Sequence, residues 1–258
     1  MVLAILQARV SSTRLPGKVL KPILGQPMIL RQIERIKRAK KIDHLLVATS
    51  IDQTDDQLAD LCAENGIPCF RGNLEDVLDR FYQAAKPFSP EHVVRLTGDC
   101  PLADPQLIDE VISFYRQGDF DYVSNTVEPT YPDGLDVEVF KFECLKQAWE
   151  EARLPSQREH VTPFIHQQPA QFKIGCFKNS VDLSFLRWTV DEPLDFELVT
   201  KIYEALYLRN PGFTTKDILA FLAEYPDLKF INTHFQRNEG LLKSFREDLL
   251  HQNILVKD

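Results

Sequence analysis

The chain has 258 residues, of which 44% are hydrophobic and 26% charged, enough to bury one large core or a core with an appendage. It is acidic, with 38 Asp and Glu against 30 Lys and Arg. No apolar run approaches the ~20 residues needed to cross a bilayer, and the start MVLAILQAR lacks the basic n-region and cleavage site of a secretory leader.

Short β-branched or apolar runs alternate with amphipathic segments along the chain. Strands are predicted at 2–6, 45–49, 92–97, 121–124, 136–140, 172–177 and 186–190. The first helix, 28–39, places Ile29, Ile33 and Ile36 on one face. Segment 55–65 follows Thr54 and stops at Gly66, and 74–86 follows an Asn73 cap. Segment 105–117 has Asp104 as cap, Pro105 in its first turn and Gly118 beyond its end. Helices are also predicted at 141–152, 157–167 and 194–208. Strand–helix alternation predicts a mostly parallel sheet covered on both faces, with a hairpin-like or mixed portion at 121–140. The main domain is expected over 1–209. A helical appendage over 210–258 follows Asn210-Pro211-Gly212, with Thr214 capping one helix and 239–250 forming another. The five cysteines are scattered and show no CxxC spacing, which argues against a disulfide framework or zinc site and for a reducing, cytoplasmic setting.

Charge is concentrated at the start. Residues 1–41 hold ten Lys or Arg and a single acid, Glu34. Residues 31–41 alone read as a solvated basic helix face. A long nucleic acid is a poor partner, because no aromatic side chain in this segment could stack bases and the remainder would repel a polyanion. The stretch QARVSSTRLPGK, 7–18, lies between the first strand and the first helix, where open α/β sheets bind ligands. Arg9, Arg14 and Lys18 supply positive charge, while Gly and Pro shape a loop whose amides could face phosphate. It is neither a Walker A loop nor a GxGxxG fingerprint. Two further strands run into acids, in VVRLTGDCPL (93–102) and LRWTVDEPLDFELV (186–199). Asp99 reads as a turn residue or as a Mg²⁺ ligand, and Asp191 as a helix cap or as a second ligand opposite it.

These residues resemble a known family. ARVSSTRLPGK, GDCPL and TVDEPLDFE are similar to the loop and metal motifs of the sugar cytidylyltransferases, which make CMP-activated octulosonate and sialic acids. Segments 70–85, 131–140, 158–165 and 231–240 extend the likeness toward the spore coat polysaccharide biosynthesis protein F family. The resemblance implies a Rossmann-like, GT-A-like three-layer α/β/α nucleotidyltransferase with Mg²⁺ as cofactor, CTP and a small sugar as substrates, and a homodimer. It implies nucleotide contacts from Ala8, Arg9, Ser12, Arg14, Lys18, Arg71, Asn73, Thr97 and Asp99, with Arg9, Lys18 and Asp99 catalytic. Asp99 and Asp191 would hold the metal, and Asp133, Asp136 and Arg158 the sugar. Thr97 stands where octulosonate-specific enzymes carry Gln, and Arg71-Gly72-Asn73 replaces their His-x-Ser-Gly.

The expected reaction activates a sugar, of the acidic 2-keto-3-deoxy class, with CTP to give a CMP-sugar and pyrophosphate for surface-glycan synthesis. A nucleotide-sugar-dependent glycosyltransferase using Asp119-Phe120-Asp121 as its metal motif is one alternative. A non-catalytic nucleotide-binding regulator is the other.

Overall fold

The structure is a computed structural model that describes residues 1–255, with side chains through residue 250. The elements run β1 (Val2–Gln7), β2 (Pro22–Ile23), β3 (Gln26–Pro27), α1 (Met28–Ile36), β4 (His44–Ser50), α2 (Asp56–Glu64), β5 (Cys69–Gly72), α3 (Val77–Ala85), β6 (His92–Thr97) and α4 (Pro105–Gln117). They continue with β7 (Tyr122–Ser124), β8 (Glu138–Lys141), α5 (Phe142–Glu151), α6 (Pro155–His160), α7 (Pro163–His166), β9 (Ile174–Cys176), α8 (Pro193–Leu206), α9 (Thr215–Glu224), α10 (Pro226–Lys229) and α11 (Glu239–Leu255). Seven strands form one sheet in the order β5-β4-β1-β6-β8-β7-β9, and β2 with β3 forms a separate hairpin. The pairs β1/β4, β1/β6, β4/β5 and β7/β9 are parallel, whereas β8 is antiparallel to both neighbours. The mixed portion at 121–140 is therefore real.

Strand alternation builds a core on each face. Val2, Ala4 and Leu6 of β1 join α1, α4, α8 and α9 on one side, while Leu3 and Ile5 join α3, α5 and α7 on the other. Within residues 210–258, Phe213, Ile218 and Leu222 pack into the first of these cores, and Thr214 and Asp217 cap α9 reciprocally. Asp104 caps α4 as its sequence position predicts, accepting from the amides of Gln106 and Leu107 at 2.9 and 3.4 Å.

Several local expectations are corrected. The basic face of α1 is not solvated throughout: Arg31 and Arg35 are buried and donate to the carbonyls of Ile23, Leu24, Ala103 and Phe213. Residues 186–190 form no strand beyond one bridge between Arg187 and Asp133. Their amides turn to loops instead, Trp188 and Thr189 to the Asp133 carbonyl and Val190 to that of Asp99. The helix predicted at 157–167 splits into α6 and α7, because Val161 adopts φ 71° and Pro163 follows. Thr54 caps no α-helix. Asn73 shapes the turn before α3, and Asp76 caps that helix through the Asp79 amide.

Candidate active site

The loops that leave β1 and β6 emerge side by side, because Gln7 is in register with Thr97. Their approach is close enough that a Cβ on Gly98 would lie 2.8 Å from the Ala8 Cβ and 3.1 Å from the Gln7 carbonyl. Glycine is the residue that permits this contact. The first loop is held in shape by its own backbone and by a buried acid. The amides of Ser12 and Gly17 both donate to the Val10 carbonyl, and the Val10 amide donates to Asp55 at 2.6 Å. A cleft of about 880 Å³ opens over these strand ends, lined by Ala8, Arg9, Ser12, Arg14, Lys18, Thr97, Asp99, Asp133, Asp136, Arg158 and Asp191 among others.

Lys18 marks the centre of this arrangement. Its ammonium donates to the Val190 carbonyl and to Asp191 Oδ1, each at 2.7 Å, and lies 3.9 Å from Asp99 Oδ2. Two carboxylates contributed by segments 92 residues apart in sequence are thus spaced so that one cation reaches both. Asp191 Oδ2 also meets Arg14 at 2.9 Å and Arg187 at 3.5 Å. Asp191 is not the cap of α8. The N-cap is Glu192, which forms a capping box with Asp195 at the third helical position; Asp195 is fully buried and accepts from the amides of Asp191 and Glu192, both at 2.9 Å. Burial alone would raise the Asp99 carboxyl, but Lys18, the Thr97 hydroxyl at 2.5 Å and the Cys100 thiol hold it below its ordinary value. Cys100 itself is buried and its thiol is pushed well up by burial, which suits a packing role rather than a nucleophile.

A sequence model of the cytidylyltransferase family matches residues 3–245, nearly the whole of the chain that carries this cleft. The chain belongs to the cytidylyltransferase family. This cytidylyltransferase is 33% identical to the spore coat polysaccharide biosynthesis protein SpsF of Bacillus subtilis, over 88% of the chain and 95% of that protein. It is 34% identical to a 3-deoxy-manno-octulosonate cytidylyltransferase of Zea mays, over 50% of the chain and 43% of that enzyme. Among solved structures, a cytidylyltransferase from Leptospira borgpetersenii superposes with a TM-score of 0.83 at 31% identity, covering 88% of this chain and 96% of that one.

In this cytidylyltransferase most of the residues singled out from the sequence converge, with three qualifications. Arg71 and Asn73 do not line the cleft. The Arg71 guanidinium donates to the carbonyls of Ser50 and Asp52 and pairs with Asp56 at 2.6 Å, while the Asn73 side chain accepts amides of its own turn. Arg158 lines the cleft but is bound to Asp76 through Nε at 3.1 Å and through Nη2, and donates to the Trp149 carbonyl. Asp119 and Asp121 lie apart from the cleft, at the outer end of β7 beside Lys141.

The floor holds groups not anticipated. Glu138 of β8 accepts from Arg95, from the Tyr122 hydroxyl at 2.7 Å and from the Thr162 hydroxyl at 2.6 Å. Burial would raise this carboxyl, yet Arg95 and the two hydroxyls bring it below its ordinary value. Arg80 is buried at the edge of the cleft and donates to the Asn73 carbonyl. The signal is a charge inside an apolar run, Arg95 in HVVRLT and Glu138 between Val137 and Val139, since a charge in such a place requires a partner. Asp133 and Asp136 are neighbours that also line the cleft. Burial and its neighbour Asp136 push Asp133 up to about 7, against the pull of Arg237 and Arg187.

Among the described residues no group of three or more His, Cys, Asp or Glu converges as a metal cage. Mg²⁺ is ordinarily held by one or two carboxylates, with phosphate oxygens and water completing its shell. Asp99 and Asp191 fit that pattern, because the Lys18 ammonium already shows that a cation can be met by both. Among the described residues, no helix is long and apolar enough to cross a membrane.

Proposed function

We propose that the protein transfers a cytidylyl group from CTP to a hydroxyl of an acidic 2-keto-3-deoxy sugar, giving a CMP-sugar and pyrophosphate with Mg²⁺ as cofactor. The observation that carries this reading is the acid-free loop 7–18 facing Asp99 and Asp191 across one cleft, in a chain of the cytidylyltransferase family. The sugar-acid class is supported by the octulosonate enzyme among the relatives. Use of the product in surface-glycan synthesis is in keeping with the name of the SpsF relative.

In this reading the triphosphate lies along the basic loop. Arg9, which makes no hydrogen bond or ion pair among the described residues, and Arg14 offer their guanidiniums to phosphate oxygens. Lys18 stabilises charge that grows on the departing pyrophosphate. Asp99 and Asp191 would hold the metal, which would supply Lewis-acid stabilisation at the α-phosphate. The sugar hydroxyl attacks phosphorus opposite the pyrophosphate. Asp133 and Asp136 orient the sugar through hydrogen bonds, and the protein contributes positioning rather than a covalent intermediate. Association as a homodimer is part of the proposal and is read out by sedimentation.

Incubation with CTP, Mg²⁺ and a panel of nonulosonic and octulosonic acids, followed by chromatography for CMP-sugar and pyrophosphate, tests the function. Formation of both products, lost in Asp99→Ala and Asp191→Ala, is the expected result. Full activity in both variants would sink the mechanism.

A further inference from the structure

The segment 231–240, INTHFQRNEG, plays no part in the transfer chemistry above, yet the chain threads it beside the cleft and fastens it at several points. Asn232 is fully buried and donates to the Arg187 carbonyl at 3.0 Å and to Asp195 Oδ1 at 2.7 Å. The Gln236 carbonyl accepts from Arg187 Nη1 at 3.3 Å. Glu239, after the left-handed Asn238, reaches Arg14 at 3.2 Å. Between these anchors, Arg237 turns to the acceptor wall. Its Nη2 donates to Asp136 Oδ1 at 2.7 Å, its Nη1 to the Tyr131 carbonyl at 3.2 Å, and its Nε lies 3.6 Å from Asp133 Oδ1.

Arg237 is the cation that Asp133 and Asp136 share. The other arginine at Asp133, Arg187, donates to Asp133 Oδ2 through Nη1 at 3.1 Å and to Asp195 through two further hydrogen bonds of 2.9 Å. Asp136 has no ion pair besides Arg237 among the described residues. Two neighbouring carboxylates in a half-buried wall repel one another unless a cation lies between them. Both carboxylates line the cleft, whereas Arg237 does not and, among the described residues, makes no hydrogen bond or ion pair with the loop 8–18.

We propose that Arg237 is a positioning residue of the acceptor half, fixing the carboxylate of Asp136 and, together with Arg187, that of Asp133 as hydrogen-bond acceptors for the hydroxyls of the sugar. The proposal rests on the cytidylyl-transfer reading. It assigns to Arg237 a share in sugar recognition and none in CTP binding.

The test compares wild type with Arg237→Ala and Arg237→Lys. In Arg237→Ala the KM for the sugar rises at least ~10-fold, as expected when one partner of a desolvated charge pair is removed. The Kd for CTP, measured by calorimetry, stays within about twofold, methylguanidinium added to the assay restores part of the loss, and Arg237→Lys falls between. Equal effects on sugar and CTP, or no effect on either, would overturn the assignment. A second readout needs no substrate. Carbon-13 NMR of the aspartate carboxyls follows Asp133, whose carboxyl is pushed up to about 7 by burial, Asp136 and Asp99 against the pull of Arg237 and Arg187. Its midpoint rises in Arg237→Ala, and an unchanged midpoint would also overturn the proposal. If wild type activates no sugar with CTP, the transfer reading fails by itself, while the carboxyl titration still decides for or against Arg237.

Discussion

Replacing Lys18 by Met keeps most of the apolar stem and removes the charge that lies between Asp99 and Asp191. The ammonium is 2.7 Å from one carboxylate and 3.9 Å from the other, with its side chain 10% exposed. At an effective dielectric of about 20, even the longer separation corresponds to ~4 kcal/mol of gross attraction. Desolvation of the ammonium offsets much of this, and Arg14 and Arg187 remain beside Asp191. Breaking a buried pair by removing one partner costs ~3–5 kcal/mol, and the remaining arginines place this site at the lower end, near 3. For a chain of this size that lowers the melting temperature by about 6–12 °C. Scanning calorimetry should record the drop, and added Mg²⁺ should recover more of it in Lys18→Met than it adds to wild type, since the vacated position then suits the ion. In the pyrophosphate-release assay kcat should fall about 10²–10³-fold, the range seen when one preorganised donor to a developing anion is deleted. A melting temperature within about 1 °C of wild type would refute the electrostatic reasoning. A kcat within about threefold would refute the role in transfer.

Other consequences are equally concrete. Glu138→Gln leaves Arg95 without its counter-charge and should lower stability at pH 6 by ~3 kcal/mol in urea unfolding. Because the folded-state carboxyl lies below its ordinary 4.5, its stabilisation is complete above that value and is lost as pH falls through the folded value, so wild type and variant should converge as the pH is taken below the folded-state value. A gap that stays constant with pH would contradict this. Gly134→Ala should cost ~3 kcal/mol or more, because φ is +105° and a Cβ would sit 2.3 Å from the Thr189 amide nitrogen. An unchanged urea midpoint would show that the 132–135 turn yields easily. Arg71→Ala should leave the Kd for CTP within about threefold, since its guanidinium faces Asp52 and Asp56 rather than the cleft; a larger loss in calorimetry would return Arg71 to the nucleotide site.

The parts of the fold legible in the sequence are those with strong local signals. β1, β4 and β6 are dense in Val, Ile and Leu, and α4 carries both its cap and its terminal glycine. β5 was missed because CFRG is four residues long and half-buried throughout, with no alternation to read. Residues 186–190 have the composition of a strand, but the Asp133 and Asp99 carbonyls take their amides, a choice made by distant loops. The site divides in the same way. Loop 7–18, Asp99 and Asp191 stand out by charge and position. Arg95 pairs with Glu138 across 43 positions and Arg237 with Asp136 across 101. No local pattern announces such partners, and only the closed fold brings them together.

The most direct test of the account follows the phosphorus atoms of CTP. With wild type, Mg²⁺ and a sugar acid that turns over, label placed on the α-phosphate should appear in the CMP-sugar, and label on the γ-phosphate in pyrophosphate. Label from the α-phosphate found only in free CMP, or on the protein itself, would contradict in-line transfer to the sugar.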